Sequence, residues 1–96
     1  MNINQERIRL MEIDLRNVFQ LQFLDIEDES HLHAGHAGAA TGGGHFKLMI
    51  IAPEFDGLNQ VKRHRAVYAA LNKHFPTEIH ALSILALTPS ESPHAG

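Results

Sequence analysis

Residues 55–71, FDGLNQVKRHRAVYAAL, decide the fold of this chain. Asp56 and Gly57 are typical of a turn, and apolar side chains then recur at three- and four-residue steps, which predicts an amphipathic helix. Apolar runs at 46–52 and 79–87 flank this helix and have the composition of strands. We therefore predict a strand–helix–strand unit, whose right-handed crossover would make the two strands parallel.

The predicted helix runs from Val61 to Phe75 and ends at Pro76, since proline cannot continue a helix. The side chains expected to pack on the sheet are Val61, His64, Tyr68, Leu71 and Phe75. The side chains expected to face solvent are Lys62, Arg65, Asn72 and Lys73, with Arg63 at the margin of that face. The last strand is expected over 77–87.

The N-terminal third adds a helix and a strand. Residues 8–19 carry apolar side chains at helical spacing after a predicted cap at Asn4, and residues 23–28 alternate apolar and acidic side chains as a half-buried strand does. Residues 45–51 are the clearest strand and should pair with 23–28 as a wide antiparallel hairpin. The elements form a single domain over 1–88, with a long Gly- and His-rich loop at 29–44 and a flexible tail at 89–96.

Composition excludes several classes of protein. The chain has 96 residues, a net charge of −3 and no cysteine, so disulfides, thiol catalysis and metal sites built from its own thiolates are impossible. No apolar run reaches the roughly 20 residues that span a bilayer. The N-terminus lacks the layout of a secretory signal, and we expect a soluble, cytoplasmic protein with no membrane partner.

The eight histidines are unusual in number, and four of them are candidate metal ligands. His31, His33 and His36 lie beside glycines in the long loop, and His80 opens the last strand. Imidazole binds zinc, iron, copper and nickel, and a loop histidine could meet the strand histidine at one centre. The alternatives are a polar loop that happens to be rich in histidine and a half-buried, hydrogen-bonded His80.

Half of the eight lysines and arginines lie in the predicted helix over 61–75. Lys62, Arg63, Arg65 and Lys73 could contact the phosphates of a nucleic acid. The alternative is an ordinary solvated helix face. No motif supports catalysis, and we predict that the chain is not an enzyme.

Several motifs occur together in a fixed order. They are Asp28-Glu29-Ser30, His33, His45-Phe46, Phe55-x-Gly57, Arg63-His64-Arg65-x-Val67-Tyr68 and His80-Ala81-Leu82-Ser83. In these motifs the chain resembles the BolA family over about residues 5–88. The resemblance implies an α/β fold similar to class II KH domains, in the order α-β-β-α-β, with helices packed on a three-stranded mixed sheet.

The resemblance also implies a function. BolA-like proteins partner monothiol glutaredoxins and share with them a glutathione-dependent 2Fe–2S cluster, in iron–sulfur trafficking or in iron and redox regulation. Carried to this chain, the ligands are His33 and His80, with His31 and His36 as loop alternatives. We expect no cluster on the isolated chain, a monomer alone and a heterodimer with glutaredoxin. Acid should release the cluster, because an imidazolium cannot coordinate iron.

A second function follows from the same resemblance. BolA-like proteins are also described as DNA-binding transcriptional regulators of morphology and stress responses, and the helix over 61–75 would be the DNA reader. A third hypothesis is a loop-histidine metal binder that acts alone.

Overall fold

The computed structural model describes residues 3–30 and 43–92. Helix α1 spans Ile3–Val18, and helix α2 spans Gln60–Ala70. The strands are β1 (Phe23–Asp28), β2 (Gly44–Ile51) and β3 (Ile79–Leu87). Short 3-10 turns follow β2, α2 and β3, at Pro53–Phe55, Asn72–His74 and Pro89–Glu91. The predicted order α-β-β-α-β is confirmed.

The three strands form one mixed sheet in the order β1-β2-β3. Strands β1 and β2 pair antiparallel from Phe23 opposite Ile51 to Asp28 opposite Phe46. Strands β2 and β3 pair parallel, with His45 opposite Ala81 and Ile51 opposite Leu87. Both predicted pairings are therefore confirmed, and the central strand β2 joins the two edges.

The core lies on one face of the sheet, between the strands and the two helices. Phe46, Leu48 and Ile50 alternate along β2 and are almost fully buried on that face, as a two-residue side-chain period requires. The helices contribute Met11 and Leu15 from α1 and Val67 and Leu71 from α2. The opposite sheet face carries no helix within the described residues, and Leu85 there is 47% exposed.

Helix α2 is rotated from its predicted orientation. Val61 and Tyr68, expected against the sheet, are exposed, whereas Arg63, Val67 and Leu71 are buried. The helix follows a turn in which Gly57 adopts a φ of 79°, and Asn59 caps it by accepting a hydrogen bond from the Lys62 amide at 2.9 Å. Lys62, Arg65, Asn72 and Lys73 do face solvent as expected.

Several element boundaries also differ from expectation. Asn4 is not a cap but lies inside α1, where its amide donates to Asp28 Oδ2 and Ser30 Oγ, each at 3.2 Å. The regular α-helix ends at Ala70 rather than Phe75, and β3 begins at Ile79 rather than Thr77. Within the described ranges, no helix has the length and apolar character needed to cross a membrane.

Candidate metal centre and nucleic-acid interface

His80 lies at a bulge at the start of β3. Gly44 pairs with Ile79 and His45 with Ala81, so His80 is an extra residue without a partner position on β2. A bulge bends the strand and redirects the side chain of the inserted residue. The His80 side chain is exposed, as a metal ligand offered to another molecule must be.

His45, at the start of β2, is the neighbour that sequence reasoning did not assign to the site. Its ring centroid lies 5.0 Å from that of His80, and the two ring planes meet at 50°. His45 is 8% exposed, and both of its ring nitrogens are sealed from solvent. The signal that could have found it is the parallel register, which places the first residues of β2 and β3 side by side.

The backbone around these two histidines is closely packed. A Cβ built on Gly43 would lie only 2.9 Å from the His80 Cβ, so the chain passes directly over the base of that side chain. The Gly44 amide donates to the Glu78 carbonyl at 3.0 Å, and the His45 amide donates to Ser30 Oγ at 3.1 Å. The ends of β1, β2 and the segment before β3 are thus tied together beside His80.

A cleft of about 290 Å³ lies next to His45. Its lining residues are Glu29, His45, Phe46, Ala81, Leu82 and Ser83. The cleft therefore lies beside the His45 imidazole, and its lining does not include His80.

These residues fit part of a metal site. Among residues 3–30 and 43–92, no group of three or more His, Asp or Glu side chains is arranged to hold a metal ion. His80 can supply one nitrogen ligand, and a chain without cysteine must receive thiolates from elsewhere. The predicted loop ligands His31, His33 and His36 lie outside the described residues.

The basic residues predicted for nucleic acid divide into three environments. Lys62 and Arg65 are exposed on α2, one turn apart, and neither takes part in an ion pair with another described residue. Lys73 is also exposed, but its ammonium lies 3.3 Å from Asp14 Oδ1. Arg63 is buried at 6% exposure, so the prediction that it lies on the surface of α2 is wrong.

The Arg63 guanidinium binds inside the protein. Nε donates to the Leu58 carbonyl at 2.8 Å, and Nη1 donates to the Ala86 carbonyl at 3.0 Å and to Glu91 Oε1 at 2.6 Å. The hydrogen bond from Arg63 and those from Thr88 lower the pKa of Glu91 to about 2, and the Glu91 carboxylate in turn raises the pKa of Arg63. Arg63 therefore anchors Pro89–Glu91, the first part of the predicted flexible tail, to α2.

The side chain of Tyr68, which like Arg63 lies on α2, also contacts β3. Its hydroxyl donates to the Leu82 carbonyl at 3.4 Å. The next carbonyl after Ala86, that of Leu87, accepts from Ala52 at the end of β2. Because successive strand carbonyls point in opposite directions, Arg63 and Tyr68 contact the edge of β3 that faces away from β2.

A second buried histidine joins α1 to the segment before β3. His74 is 3% exposed, with Nε2 2.6 Å from Asp14 Oδ2 and Nδ1 2.8 Å from Glu78 Oε1. Both contacts are hydrogen bonds only when the ring carries two protons. The hydrogen bond with His74, aided by Lys73 and opposed by burial, holds the pKa of Asp14 below its ordinary value.

Comparisons with known proteins match this chain to one family. A family model described as BolA-like protein matches residues 15–91. The protein BOLA1, chloroplastic, of Arabidopsis thaliana is 44% identical over 92 residues, which cover 93% of this chain and 58% of that protein. The DNA-binding transcriptional regulator BolA of Haemophilus influenzae is 37% identical over 86% of this chain and 78% of its own length.

The solved structure of BolA1 from Arabidopsis thaliana superposes with a TM-score of 0.77 and 41% identity. The superposition covers 91% of this chain and 96% of that one. The chain thus spans a little over half of the curated chloroplastic relative but nearly all of the domain solved from that plant.

Proposed function

The chain belongs to the BolA-like protein family, and from that premise we propose that it is a non-enzymatic partner of a monothiol glutaredoxin. The two proteins share a glutathione-dependent 2Fe–2S cluster, with His80 as a ligand from this chain. The observation that carries the proposal is the exposed imidazole of His80, turned outward at a bulge in a chain that has no cysteine.

The surroundings of His80 support a shared site rather than a closed one. Its position at the start of an edge strand leaves the side chain open to another protein. One imidazole nitrogen cannot hold a cluster, so the partner and glutathione supply thiolates. His33 is the proposed second ligand from this chain, and His31 and His36 are the alternatives for that role.

The test is cluster assembly with glutaredoxin in the presence of glutathione, followed by visible absorption. We expect His80→Ala to lose the cluster and His64→Ala, which removes a half-buried imidazole from α2, to retain it. The variants His31→Ala, His33→Ala and His36→Ala, tested singly, identify the loop ligand. Undiminished absorption from the His80→Ala complex would contradict the proposal.

The second candidate function is DNA binding by α2. It is favoured by the exposed Lys62 and Arg65, which present two cations on one face, and by the similarity to the DNA-binding transcriptional regulator BolA of Haemophilus influenzae. Each phosphate contact releases counterions, so affinity falls with salt at a slope set by the number of contacts.

Lys62 and Arg65 can be tested together. In the double variant Lys62→Ala/Arg65→Ala, the negative slope of log affinity against log salt should become shallower by about 1.8, because two phosphate contacts are lost. Lys47→Ala, on the sheet face away from the helices, is the matched control. An unchanged slope in the double variant would exclude α2 as the DNA contact.

A further inference from the structure

We propose that His45 is a positioning residue for His80: it fixes the direction of the His80 ring by packing against it, without binding the metal itself. This inference deepens the proposed function, because it assigns a role to a residue next to the expected ligand.

The first step in the argument is the contact itself. The two ring centroids are 5.0 Å apart, within the distance range of attractive aromatic pairs, and the ring planes are tilted by 50°. His45 is held firmly on its own strand: its amide donates to Ser30 Oγ, and its carbonyl accepts from the Glu29 amide at 2.7 Å. The His45 ring, on a well-anchored strand, thus packs against the exposed His80 ring.

The second step is the burial of His45. A metal ligand must present a nitrogen to the ion, but both nitrogens of His45 are closed off from solvent. The His80 ring is exposed and needs no rearrangement to reach another molecule. His45 therefore contributes the surface of its ring, and His80 contributes the nitrogen.

The third step is the close packing of the backbone at the base of the His80 side chain. The backbone at Gly43 passes so close to the His80 Cβ that any larger residue there would clash with it. The Gly44 amide and the Glu78 carbonyl hold this backbone in place. His80 is thus confined at its base by Gly43 and along its ring by His45.

The expected magnitude follows from rotamer counting. A free histidine samples three staggered χ1 wells and about two χ2 orientations, whereas a confined ring keeps one. Apparent affinity falls in proportion to the fraction of molecules in the competent state. Removing the His45 ring should weaken cluster retention about three- to sixfold.

The experiment compares His45→Ala with His45→Phe, using His64→Ala as the control. Phenylalanine keeps a flat ring but has no nitrogen, so it should retain the cluster in the glutaredoxin complex nearly as the unaltered chain does. His45→Ala should lose it about three- to sixfold faster to a chelator. Unfolding in urea establishes that each variant is folded at the temperature used.

Three results from the complex would overturn the proposal. If Phe and Ala both abolish cluster binding, His45 is a ligand. If Ala changes nothing, His45 does not position His80. If Phe fails to restore the retention that Ala lowers, ring packing is not the cause.

A second readout does not depend on the cluster. Nuclear magnetic resonance of the isolated chain reports the χ1 couplings of His80 and the ring-current shift of its ring protons. His45→Ala should average the couplings, and His45→Phe should keep them near those of the unaltered chain. If the unaltered chain forms no cluster with glutaredoxin but the two His45 variants differ in these couplings as expected, the proposed function fails and the positioning role stands. Unchanged couplings in His45→Ala would overturn the positioning role.

Discussion

The two ends of β3 are held in opposite ways. At its C-terminal end, the buried Arg63 binds the Ala86 carbonyl and Glu91, so the strand and the following turn are fixed to α2. At its N-terminal end, His74 contacts Glu78, the residue just before the strand. His80, two residues after Glu78, is exposed at a bulge. One end of the strand is anchored by a buried cation, and the other carries an exposed imidazole, which we propose as the group that a partner binds.

The largest expected effect comes from removing the Arg63 contacts at the C-terminal end of β3. Arg63→Leu should lower the free energy of unfolding by about 3 kcal/mol, because a buried carbonyl and a carboxylate lose their cationic donor together. Urea unfolding measures this change. Arg65→Leu, two residues away on the exposed face, should change stability by less than about 0.5 kcal/mol. Equal effects of the two substitutions would show that Arg63 is not the anchor.

A smaller effect is expected at the segment before β3. Asp14→Asn keeps the shape of the side chain but removes the carboxylate that binds His74 and Lys73. We expect a loss of about 1–2 kcal/mol in the free energy of unfolding. Asp25→Asn, on the exposed face of β1, is the control and should be nearly neutral. A neutral Asp14→Asn would mean that the His74 contacts do not hold this end.

The Arg63–Glu91 pair should also show a pH signature. The folded-state pKa of Glu91 is about 2, below the ordinary 4.5, so its stabilisation is complete above pH 4.5 and is lost as the pH falls toward 2. Glu91→Gln should therefore melt below the unaltered chain at neutral pH, by less than Arg63→Leu. The difference in melting temperature between Glu91→Gln and the unaltered chain should disappear as the pH falls from 4.5 to 2. A difference that stays constant over this range would contradict the pairing.

The smallest expected effect sharpens the contrast between the ends. His80→Ala should change the free energy of unfolding by less than about 0.5 kcal/mol, because the removed side chain is exposed. The same substitution should abolish cluster binding, which separates function from stability at this position. A loss above about 1.5 kcal/mol would place His80 among the residues that hold the fold.

Much of the fold was predictable because strand alternation leaves little freedom. Phe46, Leu48 and Ile50 share one face of β2, and shifting the strand by one residue would expose all three. The same pattern, with Pro53 and Pro76 as stops, places the helix between two parallel strands. These local rules explain why the element order and the sheet pairing were correct.

The rotation of α2 was not predictable from its own residues. Two candidate faces share Leu71, and the true one contains Arg63, which a hydrophobicity pattern counts as a surface residue. Its burial depends on Glu91, 28 positions away, and the burial of His74 depends on Asp14, 60 positions away. The pairing of His45 with His80 likewise follows from the register of two strands. Such long-range partners leave no local pattern in the sequence.

Strand β3 is an edge strand of the sheet, yet Ile79–Leu87 contains neither a proline nor an Asp, Glu, Lys or Arg side chain. Edge strands that lack proline and charged side chains can pair with another chain and so act as templates for aggregation. Here Arg63 and Tyr68 donate hydrogen bonds to two carbonyls on the free edge of β3, so α2 protects this edge. Fraying of this one helix, well short of complete unfolding, would then be enough to start aggregation.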